Sequence, residues 1–269
     1  MDILWITETQ FLPFLLIFFR DNGVLFAAPF FGDKMVPIQI KIGLSLLIAL
    51  ILTPTLSGPG QAEHWPLSGT FTAATAEPFV LFSMAATELL VGLIIGFCTR
   101  LFFEGVQLAG QLIGYQIGFS MSNVLDPMSG VQASLFGQLE LFLALFIFLN
   151  IDAHHILIRA MVDSFQRIPP LKFQPQGILV SRVMALSGNI FILAVQIGAP
   201  VIAVTIFVNV FLAIMARTMP QMNIFMVAMP LGIALGLFVL AVSMPFLAQV
   251  LGQTFHNLDR SLLFLMKGM

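Results

Sequence analysis

Apolar residues fall along this chain in long blocks rather than in strict alternation, which predicts helices and argues against strands. The first block, Phe11 to Phe31, is interrupted by Arg20, Asp21, Asn22 and Gly23. A charged pair in mid-block is costly in lipid. It predicts either a tilted helix with a local ion pair or a broken helix whose polar break faces protein. The second block, Ile38 to Leu56, has Lys41 near its start as its one charge. Residues Ser57 to Pro78 are rich in Gly, Pro, Ser and Thr and read as a solvated loop. With Glu63 and Glu77 as its only charges, this loop belongs outside by the positive-inside rule. Further spans follow at Phe79 to Thr99, containing Glu88, and at Ala133 to Ile151, containing Glu140.

Asp152 to Arg182 is polar and amphipathic, carries Arg159, Arg167, Lys172 and Arg182, and is broken at Pro169-Pro170. Beyond it, Val183 to Ala216 and Thr218 to Leu258 each run without a charge. As straight helices these would be roughly 50 and 60 Å long at 1.5 Å per residue. A bilayer's hydrocarbon core is only about 30 Å thick. The helices must therefore kink, tilt, or continue into protein outside the lipid, and Pro200, Pro230 and Pro245 supply kink sites. With a turn at Arg217 to Asn223 (RTMPQMN), they read as one long helical hairpin. The chain then divides into a multi-helix half, 1–176, and a hairpin half, 177–269. No sequence repeat has a fixed period. The expected class is an all-α membrane protein of long kinked helical hairpins.

Composition sharpens this. Of 269 residues, 59% are hydrophobic and 9% charged, with a mean hydropathy of +1.01. An average soluble domain carries about 25% charged residues. The net charge of -2 gives no footing for a nucleic-acid partner. The lone Cys98 cannot form an internal disulfide. The N-terminal MDILWITETQ has no basic stretch, so no cleavable signal peptide is expected.

The most informative stretch is 105–130. Glu104 to Gly130 reads EGVQLAGQLIGYQIGFSMSNVLDPMSG. Gly110, Gly114 and Gly118 recur every four residues, the spacing that lets helices pack closely. Yet Gln107, Gln111, Gln116, Ser120, Ser122 and Asn123 are too polar for a lipid-facing helix. Asp126-Pro127 then ends any helix, because the residue before proline is pushed to extended geometry. Polar, glycine-rich backbone at membrane depth is tolerated where it lines or plugs a cavity. Charge counting favours a spanning segment, since that puts the basic 152–182 stretch inside; the segment's polarity favours re-entry. Both stay open on the residues alone.

Candidate chemistry is sparse. Asp152, His154 and His155 form a DAHH cluster, but adjacent helical residues point about 100° apart and make poor joint ligands. Glu88, Glu104 and Glu140, all within apolar blocks, suit proton relay in a stand-alone ion-coupled transporter. Such a transporter is expected to show repeated halves, which are not seen. Arg100 and Glu104 stand at i, i+4 and can pair. No nucleophile, phosphate-loop or dinucleotide motif occurs, so no enzyme, metal or cofactor is expected.

Several short pieces, taken in order, carry a resemblance. They are Arg20…Ala28-Pro29-Phe30, Val36-Pro37…Lys41-Ile42-Gly43-Leu44 and Pro54. Glu104-Gly105 follows, then the run from Ala109 to Ser120 (AGQLIGYQIGFS) and Asp126-Pro127. Next come Asp152-Ala153-His154-His155, Asp163-Ser164-Phe165 and Ile168-Pro169. The last is Arg217 to Phe225 (RTMPQMNIF) with Pro230-Leu231. Together they resemble the FliR/SctT family of type III secretion export-gate subunits, and the flagellar more than the virulence branch. The likeness covers nearly the whole chain, with the glycine-rich block and the PQMNIF turn as its most specific parts.

The resemblance implies a single copy in a helical hetero-oligomer with FliP and FliQ, wrapped on its cytoplasmic side by FlhB. It implies a FliP-like half over 1–176 and a FliQ-like hairpin over 177–269. The assembly would pass unfolded flagellar export substrates, at the basal body in the bacterial inner membrane, with parts raised toward the periplasm. The stretch from Gly105 to Ser122 would be the pore plug. The plug residues implied are Gly105, Gln107, Gly110, Gln111, Gly114, Gln116, Gly118, Phe119, Ser120 and Met121, closed by Asp126 and Pro127. Arg217, Pro220, Gln221 and Asn223 would form a cytoplasmic turn that meets partners, which favours re-entry. Arg20, Glu88, Arg100, Glu104 and Glu140 would be buried charges of the assembly.

Overall fold

The computed structural model describes residues 8–29, 32, 36–57, 78–118, 135–170, 172–174, 177–219, 221 and 224–269. Among these, every regular element is a helix. α1 is Glu8–Ala27, α2 Ile38–Ser57, α3 Pro78–Ile117 and α4 Leu135–Asn150. α5 is Ala153–Arg167, α6 Gly177–Thr218, α7 Ile224–His256 and α8 Leu258–Met266. Four are long and apolar enough to cross a membrane, within Ile38–Leu56, Pro78–Ile117, Gly177–Thr218 and Met226–Met266, or five if the bent α4/α5 pair is one span. This is an all-α membrane protein.

α1 departs from both expectations for the first block. It is unbroken through Arg20 to Gly23 and is not among the four long apolar helices. Arg20 and Asp21 are fully buried, so the polar positions face protein without a break in the helix. α3 also outruns its predicted end at Thr99. The whole helix, Pro78–Ile117, is 40 residues and roughly 60 Å long. The glycine-rich stretch through Ile117 is therefore its last turns rather than a separate element. Pro200, Pro230 and Pro245 lie inside α6 and α7, which run through them.

The chain forms two compact units, each drawn from separate stretches of sequence. The first comprises 1–100, 154–184 and 257–269. In it α1 and α2 run antiparallel around a core of Leu16, Ile17, Ala49, Leu56, Met84 and Phe165. α1 and α3 run parallel and touch backbone to backbone. A Cβ placed on Gly96 would lie 2.5 Å from the Val24 carbonyl oxygen, and one on Gly23 would lie 2.8 Å from the Leu93 nitrogen. Gly92 meets the Arg20 carbonyl oxygen more closely still. α8 buries Leu258, Leu262, Leu265 and Met266. The chain end is held by the Gln174 N–H, which donates to the Met269 carbonyl at 3.2 Å.

The second unit comprises 101–153 and 185–256. Ile113 and Ile117 of α3, Phe136 of α4, Val201 of α6 and Leu240 of α7 make its core. Phe103, Phe148 and Phe255 close a three-ring cluster with centroids 5.2–5.3 Å apart. Val201 and Leu240 share this core, which brings α6 and α7 together. Aromatic and aliphatic side chains stand out from α6, with Phe191, Phe207 and Phe211 more than half exposed. A lipid or subunit environment accepts such a face; water does not.

Candidate functional site

Two sets of residues stand out, one in each unit. In the first unit, Arg20 is completely buried and every part of its guanidinium is used. Nε donates to Glu88 Oε2 at 2.6 Å, Nη1 to Ser164 Oγ at 3.2 Å and Nη2 to the Ile168 carbonyl at 3.0 Å. The cation lies 4.1 Å from the Phe165 ring centre. The geometry follows from helix periodicity. Arg20 and Gly23 share a face of α1, and Glu88, Gly92 and Gly96 recur every four residues on α3. The glycines let the backbones meet, and that contact brings Arg20 onto Glu88. Ser164 and Phe165 of α5, with Ile168 just after its end, complete the site. A charge buried in apolar surroundings must be paired and hydrogen-bonded to be tolerated. Here one arginine joins three helices.

Sequence reasoning singled out Arg20 and Glu88 separately, and the local alternative for Arg20 was Asp21. The ion pair instead spans 68 residues. Both Asp21 carboxylate oxygens are buried without a hydrogen-bond partner among the described residues. The signal available was that two opposite, isolated charges in apolar blocks need one another. Arg100 lies exposed in the single chain. Glu104 is half-buried. Their neighbours Cys98, Thr99, Leu101 and Phe103 are buried, so Arg100 stands on the outward face of a helix that is covered on one side there. Glu140 is fully buried, and its two oxygens have no hydrogen-bond partner among the described residues.

In the second unit, the end of α3 carries the expected plug positions. A Cβ on Gly105 would lie 3.0 Å from Leu193 Cδ2, and one on Gly110 would lie 2.5 Å from Gly137 Cα. At Gly110 the four-residue glycine spacing thus serves close helix packing, against Gly137 of α4. Gly114 is buried, Gln107 and Gln111 are half-buried and Gln116 is exposed. The helix stops at Gly118, whose φ of +86° belongs to the left-handed region that favours glycine. Phe119, Ser120, Met121, Asp126 and Pro127 lie outside the described residues. At the hairpin turn, Arg217 ends α6 and Gln221 is exposed, while Pro220 and Asn223 lie outside the described residues. His154 and His155, expected to point apart, have ring centres 4.2 Å from one another.

Residues 11–258 match the family described as bacterial export proteins, family 1. The chain belongs to this family. Its relatives align with most of its length. The chain is similar to the flagellar biosynthetic protein FliR of Bacillus subtilis strain 168, 36% identical over 248 residues, 91% of each chain. It is similar to the protein of that name from Caulobacter vibrioides, at 31% over 244 residues, 90% of this chain and 92% of the other. The Escherichia coli K12 protein of the same name is 28% identical over 251 residues, 91% of each chain. The family match takes in both Arg20 and Glu88, the glycine-rich end of α3, and both arms of the hairpin.

Proposed function

We propose that this chain is a structural, pore-forming subunit of the flagellar type III export gate in the bacterial inner membrane. It closes a helical assembly with FliP and FliQ, in contact with FlhB. Residues 1–176 act as a FliP-like half and 177–269 as a FliQ-like hairpin, so one chain completes the ring and starts the next turn. The stretch from Gly105 onward plugs the channel until an unfolded flagellar protein displaces it. The single observation that carries this reading is the likeness to flagellar biosynthetic proteins over 91% of the chain. Two features of the molecule support it: helices longer than a bilayer is thick, and wide apolar faces left uncovered in the single chain. The stand-alone transporter is the weaker reading, because Glu88 is taken up by Arg20 and Glu104 is not enclosed.

The test is native mass spectrometry of the chain co-expressed with FliP and FliQ and recovered by a tag on this subunit. One copy inside a larger hetero-oligomer is expected. A lone monomer, with both partners present but unbound, would sink the reading.

The plug assignment has its own test. Gly118→Leu forces an L side chain into left-handed backbone at a cost of roughly 1–2 kcal/mol, while a Cβ there meets nothing within 4 Å. The variant is expected to assemble normally and to alter export or leak ions. Wild-type export together with wild-type sealing would remove the plug role from this stretch.

A further inference from the structure

Six of the chain's 11 lysines and arginines fall in two stretches of the first unit, 154–184 and 257–269. They are Arg159, Arg167, Lys172, Arg182, Arg260 and Lys267; the acids there are Asp163 and Asp259, both half-buried. The two stretches are stitched together. Gln174 bonds to Met269, and the Arg182 guanidinium lies 4.2 Å from the Phe264 ring centre while Nη1 donates to the Phe264 carbonyl. A Cβ on Gly268 would sit 2.9 Å from that Nη1 and from Ile178 Cγ2.

α8 sorts its residues by face. Leu258, Leu262, Leu265 and Met266 are buried, whereas Arg260, Phe264 and Lys267, at i, i+4 and i+7, are exposed together. Arg182 stands beside this exposed face. Ile178, one turn before Arg182 on the same face of α6, is 50% exposed and adds an apolar side chain to this surface. A purely solvated basic face has no use for Phe264 and Ile178 beside it. Cations grouped around exposed apolar residues, at the end of a helix long enough to span, are the composition of a membrane interface. Arg and Lys there extend to headgroup depth while their stems and neighbours remain in the apolar layer.

We infer that Arg182, Arg260 and Lys267 form a binding site for the phosphate of an anionic phospholipid headgroup, with Phe264 and the start of α6 against its acyl chains. The Arg182 guanidinium has five N–H donors, and its contact with the Phe264 carbonyl occupies only part of them. It is thereby held in place for a phosphate rather than free to swing. Arg260 and Lys267 add charge on the same face. The site selects headgroups by net negative charge, so phosphatidylglycerol binds and phosphatidylcholine does not.

The test uses the full chain, purified in detergent with equimolar phosphatidylglycerol and phosphatidylcholine, and reads retained lipid by native mass spectrometry. Arg182 is left in place because it also holds α8. The variant is Arg260→Gln with Lys267→Gln, two exposed positions whose loss leaves the fold's contacts intact. Wild type is expected to retain phosphatidylglycerol preferentially, and the variant to lose roughly fivefold in retention for each charge removed at low salt. Arg260→Lys with Lys267→Arg is expected to keep the preference. Equal retention of both lipids by wild type, or unchanged retention in the glutamine variant, would overturn the site; the basic face would then belong to an acidic protein surface.

Discussion

Gly92→Ala is expected to destabilise the first unit by about 3 kcal/mol or more, and Gly92→Leu to prevent it from folding. The reason is what the new methyl would strike. A Cβ at Gly92 runs into the Arg20 carbonyl oxygen and lies 3.0 Å from both the Arg20 carbonyl carbon and Gly23 Cα. All three are backbone atoms inside an unbroken helix, so none can turn aside as a side-chain end would. The only relief is to part α1 from α3, and parting them draws Arg20 off Glu88. Gly43 in α2 is the matched control, since a Cβ there meets nothing within 4 Å. Gly43→Ala should be neutral or stabilising by up to about 1 kcal/mol, as alanine is the better helix former. Thermal melts of the two variants, followed by circular dichroism of the purified chain, separate these outcomes. A Gly92→Ala protein that melts with the wild type would mean that the α1–α3 crossing is looser than described.

The same glycines mark how far the sequence could be read. The hairpin was legible because charge brackets it. α6 was expected from Val183 to Ala216 and runs Gly177–Thr218, its ends close to Arg182 and Arg217. α7 was expected to reach Leu258, but a turn at Asn257 splits off α8. Nothing in the apolar pattern marks that turn, because Leu258 simply resumes it. The end of α3 was misplaced for a different reason. Glycine and glutamine after Arg100 read as a polar interruption, whereas Gly110 fits against Gly137 and keeps the helix intact. The equivalent contact of Gly23 with Gly92 went unread, although Gly92 and Gly96 have the same four-residue spacing, since spacing alone does not say which helix lies opposite. Nor can periodicity show that 257–269 packs against 154–184, because that contact depends on tertiary packing and not on any local preference.

Glu88→Ala is expected to cost about 3–5 kcal/mol, the usual penalty for leaving a buried charge without its partner. Arg20 would then be a cation with no exposure to water, its Nε donor unmet and only Ser164, Ile168 and the Phe165 ring to hold it. Arg20→Met should be severe as well, because it strands Glu88 and also leaves the Ile168 carbonyl without its donor. The double variant Arg20→Met with Glu88→Leu decides what the pair is for. Apolar replacements of similar volume are often neutral or stabilising at buried ion pairs. The uncovered Ile168 carbonyl works against that by roughly 1–3 kcal/mol. The double variant should therefore be much more stable than either single one and lie within a few kcal/mol of wild type in a melt. Its behaviour in cells then separates stability from orientation. Arg20 is the one side chain seen to join α1, α3 and α5 at a point, and three apolar residues would hold those helices together without fixing their rotation. A double variant that melts like wild type but no longer enters an assembly would assign the ion pair to setting the shape of this unit. One that both melts and assembles like wild type would leave Arg20 and Glu88 with no role beyond mutual neutralisation.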